Sequence, residues 1–368
     1  MKIIFIGGRN IHELGGIENY MYNLATCLKN KGHEPIVFCE SDRNEVEYVN
    51  GFKVVHNKSI GGRYLCKMLL GHKATIQALF KERDAKIYHY NGWGPTMAAW
   101  FAAVFGKTIV YQSHGLEWKR TKYTSRQQII MKFMEWLTVK IMKNITAVSQ
   151  EQTDFFLTEY GKKCVTIPTA VNLPADAYES NILEKFNLEV EGYYLYLGRL
   201  VQDKNPDYLI KAFNKSAING KKLVIAGSND ADLQYVKYLH QLGVDNPNVI
   251  FTGAVYGNDK EMLLSKCFAF CLPSTLEGLP ITLLEAMSHK RICLASDIPA
   301  NKEALGNNGV LVKYENIDDL CDKLLYILRN HKDLEIQKEA NFQRVVDNYT
   351  WDRVSDLYIQ YVNNLADV

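Results

Sequence analysis

Residues 273–290 read PSTLEGLPITLLEAMSHK, with Glu277 and Glu285 eight positions apart and Gly-Leu-Pro between them. Proline suits the first turn of a helix, where a missing N–H costs nothing. The free N–H groups of such a turn, with the helix dipole, attract an anion, phosphate above all. Glu277, in the loop just before, would accept hydrogen bonds from hydroxyls. Glu285, about one turn into the helix, would reach hydroxyls on the far side of a diphosphate. The plainer roles are a cap for Glu277 and a solvated helix face for Glu285. Two carboxylates also suit glycoside hydrolysis by an acid–base pair. A phosphate-seeking helix start between them favours a nucleotide-activated group, whose leaving group departs as an anion.

An anionic leaving group calls for cations. LGRLVQDKNPDYLIKAF supplies Arg199 and Lys204 in the loop after a strand, at the sheet edge that also carries the Glu277 loop. Arginine grips phosphate oxygens through paired N–H groups, and lysine adds a compact charge. Aimed at developing negative charge, both lower a barrier electrostatically. His114 ends a predicted strand in YQSHGLEW and precedes Gly115. Asp230 and Asp232, a D-x-D pair in GSNDADL, fall between a strand and a helix, where aspartate is a good N-cap. Capping is the expectation, with no metal. The loop GGRNIHELGG lacks the G-x-G-x-x-G spacing of nicotinamide binding.

The elements that must hold these residues alternate. KIIFIGG reads as a buried parallel strand, and GIENYMYNLATCLKNKGHE follows as an amphipathic helix with Ile17, Met21, Leu24 and Leu28 on one face. The strand–helix beat continues through PIVFCE, KIYHYNG, TIVYQSHG and NITAVSQ. VTIPTAVNLP, with two prolines and no periodic face, reads as a linker. A second series then runs from YYLYLGRL to GVLVKY. The expected fold is α/β, two Rossmann-like domains facing across a cleft, residues 1–170 and 171–350. The segment TWDRVSDLYIQYVNNL in 351–368 is expected to cross back as a helix onto the first domain. Ligands of such sheets sit at the carboxyl ends of the strands.

The chain has 368 residues, enough for two cores. Forty-three Lys and Arg nearly balance 41 Asp and Glu, which removes the global charge argument for nucleic acid. The eight cysteines form no CxxC pair. Cys267 and Cys271 sit in the apolar run CFAFCLPS and are expected as buried thiols, in keeping with a reducing compartment. The four apolar residues after Lys2 are too few for a leader, and no run approaches the ~18 of a membrane span.

Taken together, GRL…DKN, STLEGLPITLLEA with its E-x7-E spacing, GGIENYMYNLA, TAVSQ and YTWDRVSDLY resemble the GT-B glycosyltransferases of family 4, along the whole chain. The resemblance implies that Arg199 and Lys204 bind the donor diphosphate. It implies that Glu277, with the backbone of Gly278, Leu279 and Pro280, holds the transferred sugar, and that Glu285 holds the ribose. Gly15 and Gly16 would form the glycine turn that approaches the sugar, Glu18 the acidic position after it, and His114 the histidine near the reacting sugar. HGLEWKR is similar to a rhamnosyltransferase-like bacterial sub-group. Thr169 and Ala170 stand where the family often has Asn-Gly.

The implied reaction is sugar transfer from a nucleoside diphosphate with retention of configuration. The acceptor would be a glycan or lipid-linked molecule in surface polysaccharide synthesis, and the reaction needs no cofactor. A sugar-nucleotide 2-epimerase and a non-catalytic nucleotide-sugar-binding partner share the architecture. Residues 118–143 are locally basic: Lys119, Arg120, Lys122, Arg126, Lys132, Lys140 and Lys143 face only Glu135, with Tyr123, Ile129, Ile130, Phe133 and Trp136 interleaved. Two readings stand for this segment. One is a surface helix drawn to anionic lipid, which would put a cytoplasmic protein at the inner face of the membrane; the other is ordinary core packing with a solvated basic face.

Overall fold

The computed structural model describes residues 1–13, 15–62, 65–121, 123–228 and 232–366. It divides into two compact units, Met1–Ala170 with Trp351–Val368, and Val171–Thr350.

The first unit holds an eight-stranded sheet in the order β3-β4-β2-β1-β5-β6-β7-β8. The strands are β1 Lys2–Ile6, β2 Glu34–Ser41, β3 Glu45–Val49, β4 Phe52–Lys58, β5 Ile87–Asn91, β6 Thr108–Ser113, β7 Asn144–Ala147 and β8 Val165–Thr166. β1 is apolar at every position after Lys2 because both faces of the sheet are covered: Ile3 and Phe5 enter one core cluster, Ile4 and Ile6 another. The helix Gly16–Asn30 packs Tyr20, Met21, Leu24 and Leu28 onto the first of these.

An all-parallel sheet was the expectation, and β3 departs from it. It pairs antiparallel with β4 through an Asn50–Gly51 turn in which both residues have positive φ, 46° and 79°. That turn matches the right-handed strand twist, and Asn-Gly is its sequence mark. The expected linker also differs. Val165 and Thr166 pair with β7, and Ile167 and Ala170 lie in the core, so its first half belongs to the first unit. The helix Trp351–Ala366 returns to this unit, burying Trp351, Val354, Tyr358 and Val362 in the same cluster as Ile3 and Leu24.

The second unit holds six parallel strands in the order β11-β10-β9-β12-β13-β14. They are β9 Tyr193–Leu197, β10 Lys222–Ala226, β11 Val249–Gly253, β12 Ala269–Leu272, β13 Ile292–Ser296 and β14 Val310–Val312. The order reverses between β9 and β12, which puts the loops after these two strands side by side at the carboxyl edge. Cys267 and Cys271 are buried free thiols, although Cys267 ends a helix and only Cys271 lies in a strand.

Candidate active site

The candidate residues fall into two sets, one in each unit. In the second unit, Lys204 and Glu277 meet. Asn205 adopts the left-handed conformation and donates from Nδ2 to the Pro273 carbonyl at 3.1 Å. The Thr275 N–H donates to the Asp203 carbonyl at 2.9 Å. These two bonds lace the loop after β9 to the loop after β12. The laced loops bring Lys204 Nζ onto Glu277 Oε1 as an ion pair, with side chains only 17% and 7% exposed. Neither charge is well hydrated there, so each depends on its partner or on a ligand that replaces it.

Arg199 sits exposed in the same turn, and its carbonyl accepts the buried Tyr196 hydroxyl at 2.8 Å. Gly227, at the end of the neighbouring β10, lies so near this turn that a Cβ there would come within 1.9 Å of the Gly198 carbonyl oxygen.

The helix after the Glu277 loop is Ile281–Ser288, and Pro280 occupies its N-cap with ψ 87°, one residue ahead of the expected first turn. Pro280 has no N–H, and its carbonyl already accepts from the Leu283 and Leu284 N–H groups at 3.1 Å each. Backbone donors for an anion therefore come from Gly278, Leu279 and the first-turn residues Ile281 and Thr282. Leu279 is buried.

Glu285 faces Lys260 at 2.8 Å, and Lys260 also pairs with Glu261 at 3.0 Å. Glu261 in turn holds His289 Nε2 at 2.7 Å. Glu285, Lys260 and Glu261 line a cavity of about 200 Å³ with Asn172, Tyr178 and Ser288. The sequence reading missed Lys260 and Glu261, because GNDKEMLLSK looks like any solvated helix and only the fold turns it toward Glu285. Asp232 caps its helix by accepting the Tyr235 N–H at 3.0 Å. Asp230 lies outside the described residues, as does Lys122.

In the first unit, Gly15 is the N-cap of the helix Gly16–Asn30 and Gly16 its first residue. A Cβ on Gly15 would strike the Glu18 carboxylate at 1.9 Å, whereas one on Gly16 would meet open space. Glu18 is buried, and its Oε1 accepts the Arg9 N–H at 2.6 Å, which braces the loop between β1 and this helix. His114 follows β6, and its ring makes a T-shaped pair with Tyr20, centroids 4.9 Å apart. Its Nε2 donates to Asn91 Oδ1 at 2.9 Å, which leaves Nδ1 as the acceptor. Burial pushes its pKa down to about 3, so the imidazole is neutral at pH 7. His89 beneath it is also pushed down to about 3, by burial and then by the neighbouring His114, and its Nδ1 lies 3.0 Å from the Tyr358 hydroxyl.

Glu135 is not the surface counter-charge expected for residues 118–143. It is buried and accepts from Trp118 Nε1 at 2.9 Å and the Tyr160 hydroxyl at 3.2 Å. Ile129, Ile130 and Phe133 are 70%, 60% and 55% exposed.

Known proteins match along the chain. Residues 14–174 match the model for "Glycosyltransferase Family 4" and residues 180–344 the model for "Glycosyl transferases group 1". A UDP-Gal:alpha-D-GlcNAc-diphosphoundecaprenol alpha-1,3-galactosyltransferase of Escherichia coli is 26% identical over 275 residues, 70% of each chain. O-antigen chain mannosyltransferase C of Escherichia coli is 22% identical over 362 residues, 96% of this chain and 95% of the relative. The sucrose-phosphate synthase of Thermosynechococcus elongatus superposes with a TM-score of 0.85 at 17% identity, covering 100% of both chains. Both family models are transferase models, which removes the 2-epimerase and the non-catalytic partner as readings. The chain belongs to the family 4 glycosyltransferases and is a transferase of the GT-B fold.

Proposed function

We propose that the enzyme moves a hexose or deoxyhexose from a nucleoside diphosphate to a glycan or lipid-linked acceptor in bacterial surface polysaccharide synthesis. Retention of anomeric configuration is part of the reading. The observation that carries it is the Lys204–Glu277 pair beside the start of the helix Ile281–Ser288. A diphosphate entering there gives Lys204 a new counter-charge, and the N–H groups of the helix start add to it. Glu277, released, accepts hydrogen bonds from sugar hydroxyls. Glu285 does the same for the ribose, displacing Lys260.

As the bond from the anomeric carbon to the phosphate oxygen breaks, the electron pair leaves on the diphosphate, where Lys204 and Arg199 stabilise it. The acceptor hydroxyl attacks from the same face and passes its proton to a leaving phosphate oxygen. His114, neutral, accepts a hydrogen bond from a sugar hydroxyl at Nδ1 and forms no covalent link. Gly15 and Gly16 admit the sugar closely, and Glu18 keeps their loop in place. The nucleotide sugar is a co-substrate, and the reading asks for no cofactor and no metal.

The named activities of the galactosyl and mannosyl relatives support a nucleotide-sugar donor and a lipid-linked or O-antigen acceptor. Among the described residues, no helix is long and apolar enough to cross a membrane. In this reading the helix Ser125–Ile141 meets the cytoplasmic face of the membrane instead, with Ile130 and Phe133 outward among lysines.

The test is a panel of nucleotide sugars, screened first by thermal stabilisation and then with diphosphoundecaprenol-linked acceptors, in buffer containing chelator. One donor should raise the melting temperature and yield free nucleoside diphosphate plus an elongated acceptor in which the transferred sugar keeps the anomeric configuration it had in the donor. Inversion, or a strict need for added divalent metal, would overturn the corresponding part of the reading.

A further inference from the structure

The β3–β4 hairpin carries a cluster that the transfer reaction does not use. Glu47 of β3 places Oε1 2.6 Å from His56 Nε2 of β4 and 2.7 Å from His12 Nε2. His12 comes from the loop between β1 and the first helix, the loop that ends in Gly15 and Gly16. The ligand atoms of all three side chains lie within 4.8 Å of one another.

We propose that His12, Glu47 and His56 bind a first-row divalent cation, Zn²⁺ foremost, which fastens the glycine loop to the hairpin. Two imidazole nitrogens and one carboxylate oxygen, with a fourth position left to water, are a characteristic zinc donor set. The orientation of the set is built in. His56 is 5% exposed, and its ring is held from behind by Cys39 Sγ, 3.5 Å from Nδ1, on the neighbouring β2. That contact keeps Nε2 directed at the cluster, as a supporting partner does for a ligating histidine. The backbone N–H of His12 is fixed by Asn10 Oδ1 at 3.0 Å, and its ring lies roughly parallel to that of His56 at 6.3 Å. With a side chain 54% exposed, His12 leaves the site open to solvent on one side, giving an ion and its water a way in.

Tetrahedral bonds of about 2.0–2.1 Å put ligand atoms roughly 3.3 Å apart. The present nitrogen–oxygen separations are shorter by about 0.6 Å. A small outward movement of the loop-borne His12 ring and of the Glu47 carboxylate makes room. Each imidazole binds through Nε2 as its Nδ1–H tautomer, so two N–H···O contacts on one oxygen give way to three coordinate bonds, and the strands stay in register.

Untagged protein, stripped with chelator and desalted, should take up one Zn²⁺ per chain in a calorimetric titration with micromolar or tighter affinity. The same addition should raise its melting temperature. His12→Ala removes a half-exposed side chain, and circular dichroism checks that the variant is folded. Both it and Glu47→Gln should bind Zn²⁺ more than about tenfold more weakly and lose the thermal shift. No uptake by the wild type would overturn the proposal. Uptake by both variants equal to the wild type would also overturn it, since the metal would then sit elsewhere on the chain.

Discussion

Lys204 and Glu277 lie 73 positions apart in sequence and neutralise one another at the edge of the second sheet. In the proposed reaction each has a second partner, the diphosphate for one and the sugar for the other, so the ion pair holds both charges ready. The two roles separate in a double-variant experiment. Lys204→Ala leaves a poorly hydrated carboxylate alone, which costs roughly 1–3 kcal/mol of stability. Glu277→Gln in the same chain removes that orphaned charge and should recover most of the loss in a urea denaturation curve. Turnover should not recover, and kcat/KM should stay down by roughly 10²–10³-fold in the single and double variants alike. A double variant with near wild-type kcat/KM would show that the pair is structural only. These residues were legible because loop chemistry leaves a compact trace: a cation pair after one strand, a carboxylate and a proline before a helix. Lys260 left no such trace, since its bond to Glu285 depends on which way a separate helix faces.

Local patterns announce some elements better than others. Strands covered on both faces, such as β1 and β9, show as unbroken apolar runs, and they fall where periodicity put them. The β3–β4 hairpin was equally visible in Asn50–Gly51, yet an expectation of parallel strands passed over it. The helix Ser125–Ile141 shows the limit of composition. Its one acid looked like a surface partner for the lysines, but burial pushes the Glu135 pKa up to about 7, and Trp118 and Tyr160 hold the carboxylate inside. The outward face is thus more basic and more apolar than a count of charges implies. Vesicles rich in anionic lipid should retain the wild-type protein at low salt and release it as salt screens the lysines. Ile130→Glu with Phe133→Glu should abolish retention while leaving the melting temperature within about 2 °C, because such exposed positions contribute little to stability. Retention unchanged by both substitutions would take the membrane role away from this face.

Across the whole molecule, each unit has its own sheet and core, and the division of the strands into two series was readable from the strand–helix beat and the proline-bearing segment between. The composition of that segment concealed that Val165 and Thr166 still belong to a sheet, because two residues of pairing are too short to show a period. The returning helix does more than cover a surface. Four of its side chains, Trp351, Val354, Tyr358 and Val362, complete the first core. At roughly 1.5–3 kcal/mol for each large buried side chain, their loss is comparable to the ~5–15 kcal/mol that holds a domain folded. A chain ending at Thr350 should therefore lose its first unit to limited proteolysis while a fragment near 171–350 survives. Equal resistance of the shortened and full chains would contradict this.

The same helix imposes an order on synthesis. A nascent chain leaving the ribosome has everything its second lobe needs once Thr350 has emerged, while the lobe made first still lacks a wall. Of the two lobes, the one made before the other is sealed after it, and until then its apolar groove stands open to water.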